Sequence, residues 1–271
     1  MEEVKKVLFV NSEITPYLPQ TKISSIGRYL PQGIQERKKE IRSFMPRYGC
    51  INERKNQLHE VIRLSGMNLI INDVDRPLVI KVASISAARM QVYFIDNEDY
   101  FHRKFIYNDA DGVPFADNGE RAVFFARGVL ETVKKLRWAP DIIHCQGWIT
   151  HLLPLYLKKI YKDDPIFASS KIVLSLYDDV QKEPFQSDFV QRAVIPGVES
   201  DEFDLMEKAD GINLAKLAVR HSDGVIMGCD TVPGEVADFC KTAGVPVLPF
   251  NAAAMEDGSY IDEYNTFNDK I

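Results

Sequence analysis

Cysteine is scarce in this 271-residue sequence: Cys50, Cys145, Cys229 and Cys240 lie far apart and form no Cys-x-x-Cys pair. That spacing excludes a disulfide framework or a zinc-ribbon pattern and leaves the thiols as small buried hydrophobes. The five histidines do not cluster either; His144 and His151, the nearest pair, are seven residues apart, which is not a His-x-x-x-His arrangement. No metal site is expected. Long apolar runs are missing too: no uncharged stretch reaches 18 residues, so no ordinary membrane span is expected. There is no basic excess, since 33 Lys and Arg against 39 Asp and Glu give a net charge of −6. A nucleic-acid partner would need a concentrated basic face, and none is expected. Met1-Glu2-Glu3-Val4-Lys5-Lys6 leads into a short apolar stretch without a cleavage signature, so the expectation is a soluble, cytoplasmic chain with no signal peptide. Also absent are Gly-x-Gly-x-x-Gly after the first apolar run, a Walker-type phosphate loop and a Gly-x-Ser-x-Gly elbow. Their absence removes the usual dinucleotide, nucleoside-triphosphate and serine-hydrolase readings.

What is present is an ordinary globular composition, 45% hydrophobic and 27% charged. A chain of this length buries about 70–75% of its unfolded surface without needing a staple. Lys6–Asn11 and Glu40–Pro46 are β-rich. Between them, Ile23, Ile26, Leu30 and Ile34 recur at helical spacing over Ile23–Lys38, where Pro31 is expected to kink or split the helix. Four further β-rich runs, Glu60–Leu64, Asn68–Asn72, Leu78–Ala83 and Gln91–Asp96, are separated by turn-rich segments and predict an inserted meander. Asn118–Arg137 is the clearest helix, and Asp117 followed by Glu120 has the form of a capping pair at its start. Strands then alternate with helices: strands at 141–145, 171–176, 224–227 and 245–248, helices at 148–161, 204–221 and 234–242. The alternation predicts one α/β domain over 1–250, with a mainly parallel sheet flanked by helices. Residues 251–271 are expected to form a polar, acidic C-terminal tail, a surface appendage or partly disordered.

Four pieces of the chain, in order and at matching spacing, resemble the bacterial glycogen synthases and plant starch synthases of the ADP-glucose type. They are Ser12-Glu13 with Pro16 and Leu30-Pro31; Phe115-Ala116-Asp117-Asn118 with Glu120-Arg121; Pro140-Asp141-Ile142-Ile143-His144-Cys145 with Trp148; and Ile212-Asn213 with Lys216 and Ser222-Asp223-Gly224-Val225. The resemblance covers roughly Lys5 to Val236. It implies one Rossmann-like half of a two-domain glycosyltransferase (GT-B) fold, the N-terminal half that mainly receives the growing glucan. The family reaction it implies is retaining transfer of glucose from ADP-glucose to the 4-OH of an α-1,4-glucan, without metal or cofactor. Within these 271 residues the second half, which in the family carries the basic residues on the diphosphate, is not expected.

The resemblance breaks at the ends of strands. The family's Lys-x-Gly-Gly falls on Pro19-Gln20-Thr21-Lys22, and its aspartate in the same loop-helix falls on Ser25. Glycines there would let backbone amides approach a nucleotide-sugar. The family's His-x-His-Asp-Trp-His falls on His144-Cys145-Gln146-Gly147-Trp148-Ile149, so the imidazole beside the transferred glucose becomes an amide that cannot be protonated. Ser175-Leu176-Tyr177-Asp178 and Met227-Gly228-Cys229-Asp230 stand where the family has Thr-Ile-His-Asn and Thr-Val-Ser-Pro. Candidate substrate-binding residues are Lys22, Asp117, Asn118, Gln146, Gly147, Trp148 and Tyr177; none is assigned a catalytic role. Four of them have a plainer alternative: capping for Asp117 and Asn118, core packing for Trp148, a solvated charge for Lys22. His144, inside an apolar strand, is expected to be a satisfied core histidine. The isolated chain is expected to lack autonomous activity. Its expected partners are an α-glucan or ADP-glucose, and a separate second-half chain or a second copy of itself. The alternatives are a non-catalytic glucan- or nucleotide-sugar-binding module and a structural or regulatory interaction domain.

Overall fold

The computed structural model describes residues 4–271. In chain order the elements are β1 (Lys6–Asn11), α1 (Lys22–Glu36), β2 (Glu40–Pro46), β3 (His59–Glu60), β4 (Met67–Ile71), β5 (Val74–Ile85), β6 (Met90–Asp96), α2 (Glu98–Phe101) and α3 (Asn118–Leu136). They continue with β7 (Ile142–Gln146), α4 (Leu153–Ile160), β8 (Lys171–Leu176), α5 (Phe189–Ala193), α6 (Gly211–Arg220), β9 (Gly224–Met227), α7 (Gly234–Ala243), β10 (Val247–Leu248), α8 (Ala252–Asp257) and α9 (Tyr260–Lys270). The strand order is β10-β9-β8-β7-β1-β2-β6-β5-β3, with β4 paired to β5. From β10 across to β6 the pairings are parallel; β5 runs antiparallel to β6, β3 and β4. The expected fold class, a mainly parallel α/β sheet flanked by helices with an inserted β-rich segment, is thus the observed one. Among the described residues no helix is long and apolar enough to cross a membrane.

The central strands owe their place to near-continuous burial. Val7, Leu8, Phe9 and Val10 of β1 and Ile142, Ile143 and Cys145 of β7 are shielded on both faces, as parallel strands under helices must be. One face packs on α3, α4 and α6 through a large apolar cluster. The other is covered by α1 and the C-terminal helices. The order of connection places the topological switch between β1 and β7. From β1 the chain goes to β2 and β6 on one side, and from β7 to β8 and β9 on the other. Loops diverge there, and open α/β sheets place ligand crevices at that point.

Several expectations change. Residues 251–271 are not an appendage: α8 and α9 pack back on the sheet, burying Ala254, Tyr260, Tyr264 and Phe267 with Val173, Tyr177 and Ile226. The apolar stripe Tyr260–Tyr264–Phe267 has helical spacing that the acidic composition masks. Asp269 adds ion pairs to Lys5 at 2.9 Å and Lys39 at 2.6 Å. Pro31 does not split α1, which runs unbroken from Lys22 to Glu36. Beyond Glu60 the segment to Leu64 is a turn rather than strand, and the helix placed at 148–161 is a 3-10 turn followed by α4. The expected start of α6 near Asp204 is instead a separate 3-10 stretch, and Asp210 caps the true start by accepting from the Asn213 amide.

Candidate functional site

The carboxyl ends of β1, β7 and β8 meet where the Ser12 amide donates to the Gln146 carbonyl at 2.9 Å. Beside this junction lies a cavity of about 660 Å³ whose walls include Tyr107, Asn108, Trp148, Asp178, Asp179 and Gln181. Gly147 makes the turn out of β7. Its φ of 88° is one that side-chain-bearing residues rarely adopt, and a Cβ there would come within 2.0 Å of Ser12 Oγ. Trp148 follows, with its amide donating to Asp179 Oδ2 at 2.9 Å and its ring 4.9 Å from that of Tyr107. Trp148 is only 2% exposed, so it is chiefly a core residue, with an edge on the cavity.

Burial pushes the Asp179 carboxyl up to about 6 against the opposing Trp148 amide bond, and the charge of Glu13 adds to the rise. Glu13, at the end of β1, is itself raised by burial, while Thr21 Oγ1 donates to it at 2.9 Å and partly offsets that effect. Four carboxylates, Asp111, Asp178, Asp179 and Glu183, line the cavity against one lysine, Lys182. Such a lining accepts hydrogen bonds from hydroxyls and repels a diphosphate.

The sequence-predicted residues do not all converge on this place. Gln146 is buried at the end of β7, and its amide donates to the Ile23 carbonyl at 2.7 Å, tying the strand to α1. Asn118 is buried behind the cavity wall; its amide donates to the Tyr107 carbonyl at 2.9 Å and to Gln181 Oε1 at 3.0 Å. Asp117 makes no capping bond, and the capping pair expected with Glu120 does not form. Each carboxylate has a stronger cationic partner: Asp117 chelates Arg103, and buried Glu120 pairs with Arg192 and accepts from the Tyr100 hydroxyl. Tyr177 is buried with its ring against Gly228, and burial raises its hydroxyl far above the ordinary value. Lys22 is exposed and lines a different cavity of about 510 Å³, with Ser25, Tyr29, Phe250 and Tyr260.

His144 is buried as expected, its Nε2 2.6 Å from Ser175 Oγ, and burial lowers its pKa to about 3. Its Nδ1 lacks a partner, so it is only half satisfied. Sequence reasoning missed Asp179, Gln181 and Tyr107. The signal for Asp179 is the carboxylate pair Asp178-Asp179 directly after the apolar run 172–177. Tyr107 precedes a turn built by Asp109, whose Oδ1 accepts from the amides of Asp111 and Val113 at 2.9 Å each.

Residues 6–244 match the family model of the starch synthase catalytic domain, and the chain belongs to that family. A glycogen synthase of Chlorobium limicola is 35% identical over 219 residues, covering 80% of this chain and 44% of that relative. One from Chlorobaculum tepidum is 34% identical over 237 residues, covering 86% and 47%. The catalytic domain of starch synthase IV from Arabidopsis thaliana, solved bound to ADP and acarbose, superposes with a TM-score of 0.73 at 15% identity, over 92% of this chain and 51% of that one. At that identity the superposition shows the shared fold, one half of the two-domain glycosyltransferase architecture. The chain spans about half the length of the curated relatives it matches.

Proposed function

We propose that this member of the starch synthase catalytic domain family supplies the acceptor half: it seats an α-glucan in the cavity at the ends of β7 and β8 and does not by itself transfer glucose from ADP-glucose. The observation that carries this reading is the cavity lining. Carboxylates and amides beside the edges of Tyr107 and Trp148 suit a neutral, polyhydroxylated chain, since sugar hydroxyls need acceptors and sugar faces need rings. The features a sugar diphosphate needs are missing at the neighbouring ends of β1 and β7. Gln146 and Gly147 offer no imidazole and no charge, and the amide of Gln146 is already committed to Ile23. Thr21 is engaged in capping α1 and bonding Glu13.

Calorimetric titration of the 271-residue chain with maltoheptaose and, separately, with ADP-glucose tests both parts, alongside incorporation of glucose into glycogen. The expected result is heat with maltoheptaose, none with ADP-glucose at equal concentration, and no incorporation. Turnover by the purified chain, or ADP-glucose binding as tightly as the glucan, would overturn the reading. One observation favours a second reading, action together with a complementary half: the family match covers about half of each relative. Co-purification of such a half, with incorporation appearing only in the mixture, would establish it.

A further inference from the structure

Behind the Tyr107 wall lies a charge that the glucan site does not use. Arg121, on the second turn of α3, is wholly buried. Its guanidinium lies 5.3 Å from the ring centre of Phe101, 5.5 Å from Phe115 and 5.9 Å from Tyr107. Among the described residues no carboxylate pairs with it. Its bond is from Nη1 to Asn118 Oδ1 at 2.6 Å, while Nε and Nη2 have no partner. Three ring faces compensate a cation in part. A desolvated cation short of two hydrogen bonds is nevertheless less stable than an apolar side chain of the same shape. Packing alone therefore does not account for Arg121.

Its contacts do. With Oδ1 of Asn118 facing the guanidinium, the Asn118 amide must point the other way, where it donates to the Tyr107 carbonyl and to Gln181 Oε1. Tyr107 and Gln181 both line the cavity. The Tyr107 hydroxyl is held in turn by the Tyr48 hydroxyl at 2.9 Å. We propose that Arg121 is a positioning residue for the glucan site: it fixes the orientation of Asn118 and clamps the Tyr107 ring, so that Tyr107 and Gln181 face the cavity pre-organised. The glucan part rests on the function proposed above; the clamping of Tyr107 stands apart from it.

The test uses Arg121→Met and Arg121→Lys in the whole 271-residue chain, with three readouts: melting temperature, amide exchange and maltoheptaose affinity. The exchange probes are the Phe115 amide, which bonds the Tyr107 carbonyl at 2.9 Å, and the Asp109 amide, which bonds the Val113 carbonyl at 2.8 Å. For Arg121→Met the expected Tm is unchanged to within about 2 °C, or higher, because the lost cation was not fully paired. Exchange at Phe115 should rise about tenfold, and maltoheptaose should bind about tenfold more weakly, equivalent to about 1.4 kcal/mol. Arg121→Lys keeps a cation among the rings but not the planar fork, and should fall between. A Tm drop beyond about 5 °C in both variants, or failure of both to fold, makes Arg121 an ordinary structural residue and overturns the proposal. Unchanged exchange and affinity overturn it equally. If the wild-type chain binds no maltoheptaose while the exchange at Phe115 still rises in Arg121→Met, the glucan reading fails and the clamp stands.

Discussion

Replacing Asp179 by asparagine tests whether the strand-end carboxylates are held there against stability. The Asp179 carboxyl is raised from 3.8 to about 6, first by burial and further by the charges of Glu13 and Asp178. An acid whose folded pKa is raised binds its proton more tightly in the folded state. Its ionisation therefore weakens folding as pH rises from the unfolded value through the folded one. The gap between 3.8 and about 6 corresponds, at about 1.36 kcal/mol per pH unit, to roughly 3 kcal/mol of instability carried in full above pH 7. At pH 4 the same linkage leaves under about 1 kcal/mol. Asparagine keeps an oxygen for the Trp148 amide and carries no charge, so Asp179→Asn should stabilise the chain at pH 7.5 and leave it nearly unchanged at pH 4. For 271 residues the entropy of unfolding turns about 3 kcal/mol into a Tm rise of roughly 5 °C. Scanning calorimetry of both proteins at the two pH values measures this directly. A lower Tm for the variant at pH 7.5, or a shift of equal size at both pH values, would refute the assignment of a half-buried, destabilising charge to this position.

Two further substitutions probe the frame around that site. Gly147→Ala places a Cβ within 2.0 Å of Ser12 Oγ at a φ of 88°, and should lower the unfolding free energy by at least about 2 kcal/mol in a urea titration; an unchanged midpoint would show that the turn relaxes freely. Phe267→Ala removes a ring packed against Gly224 of β9 and should reduce stability by about 3 kcal/mol. A loss below about 0.5 kcal/mol would return the C-terminal segment to the status of an appendage.

The parts of the fold that could be seen in the sequence were those set by local period. The alternation of β1, α1, β2 and of β7 through β10 follows from buried apolar runs separated by amphipathic ones, and the Val123–Val133 stripe marks α3. The misplaced parts depended on partners distant in sequence. Tyr260, Tyr264 and Phe267 lie in a segment rich in Asp, Glu and Asn, and their burial follows from a sheet face left open beside α1. Asp117 and Glu120 have the spacing of a cap, but Arg103 and Arg192 offer charge-assisted bonds that outcompete a backbone amide. The candidate site was only partly legible for the same reason. Trp148 and Gly147 follow from the strand end, whereas the grouping of Asp179, Tyr107 and Gln181 requires the folds of two separate loops.

Thr21, Gln146 and Tyr177, three of the positions where the resemblance breaks, are held within the protein itself, two by hydrogen bonds and one by packing. Thr21, standing where a glycine is expected, forms a reciprocal capping box with Ser24 at 2.9 and 2.8 Å and bonds Glu13 as well. Gln146, standing for an imidazole, spans from β7 to the Ile23 carbonyl of α1. Tyr177 fills the space beside Gly228 with a buried ring. A cap alone contributes about 1 kcal/mol, and a buried amide bond about as much. The Thr21 and Gln146 bonds point inward, tying the ends of β1 and β7 to α1. The carboxylates Asp178 and Asp179, by contrast, still face the cavity, and one of them opposes stability in doing so. On the proposed reading, the strand-end groups left for a glucan are therefore those on the β8 side of the switch point.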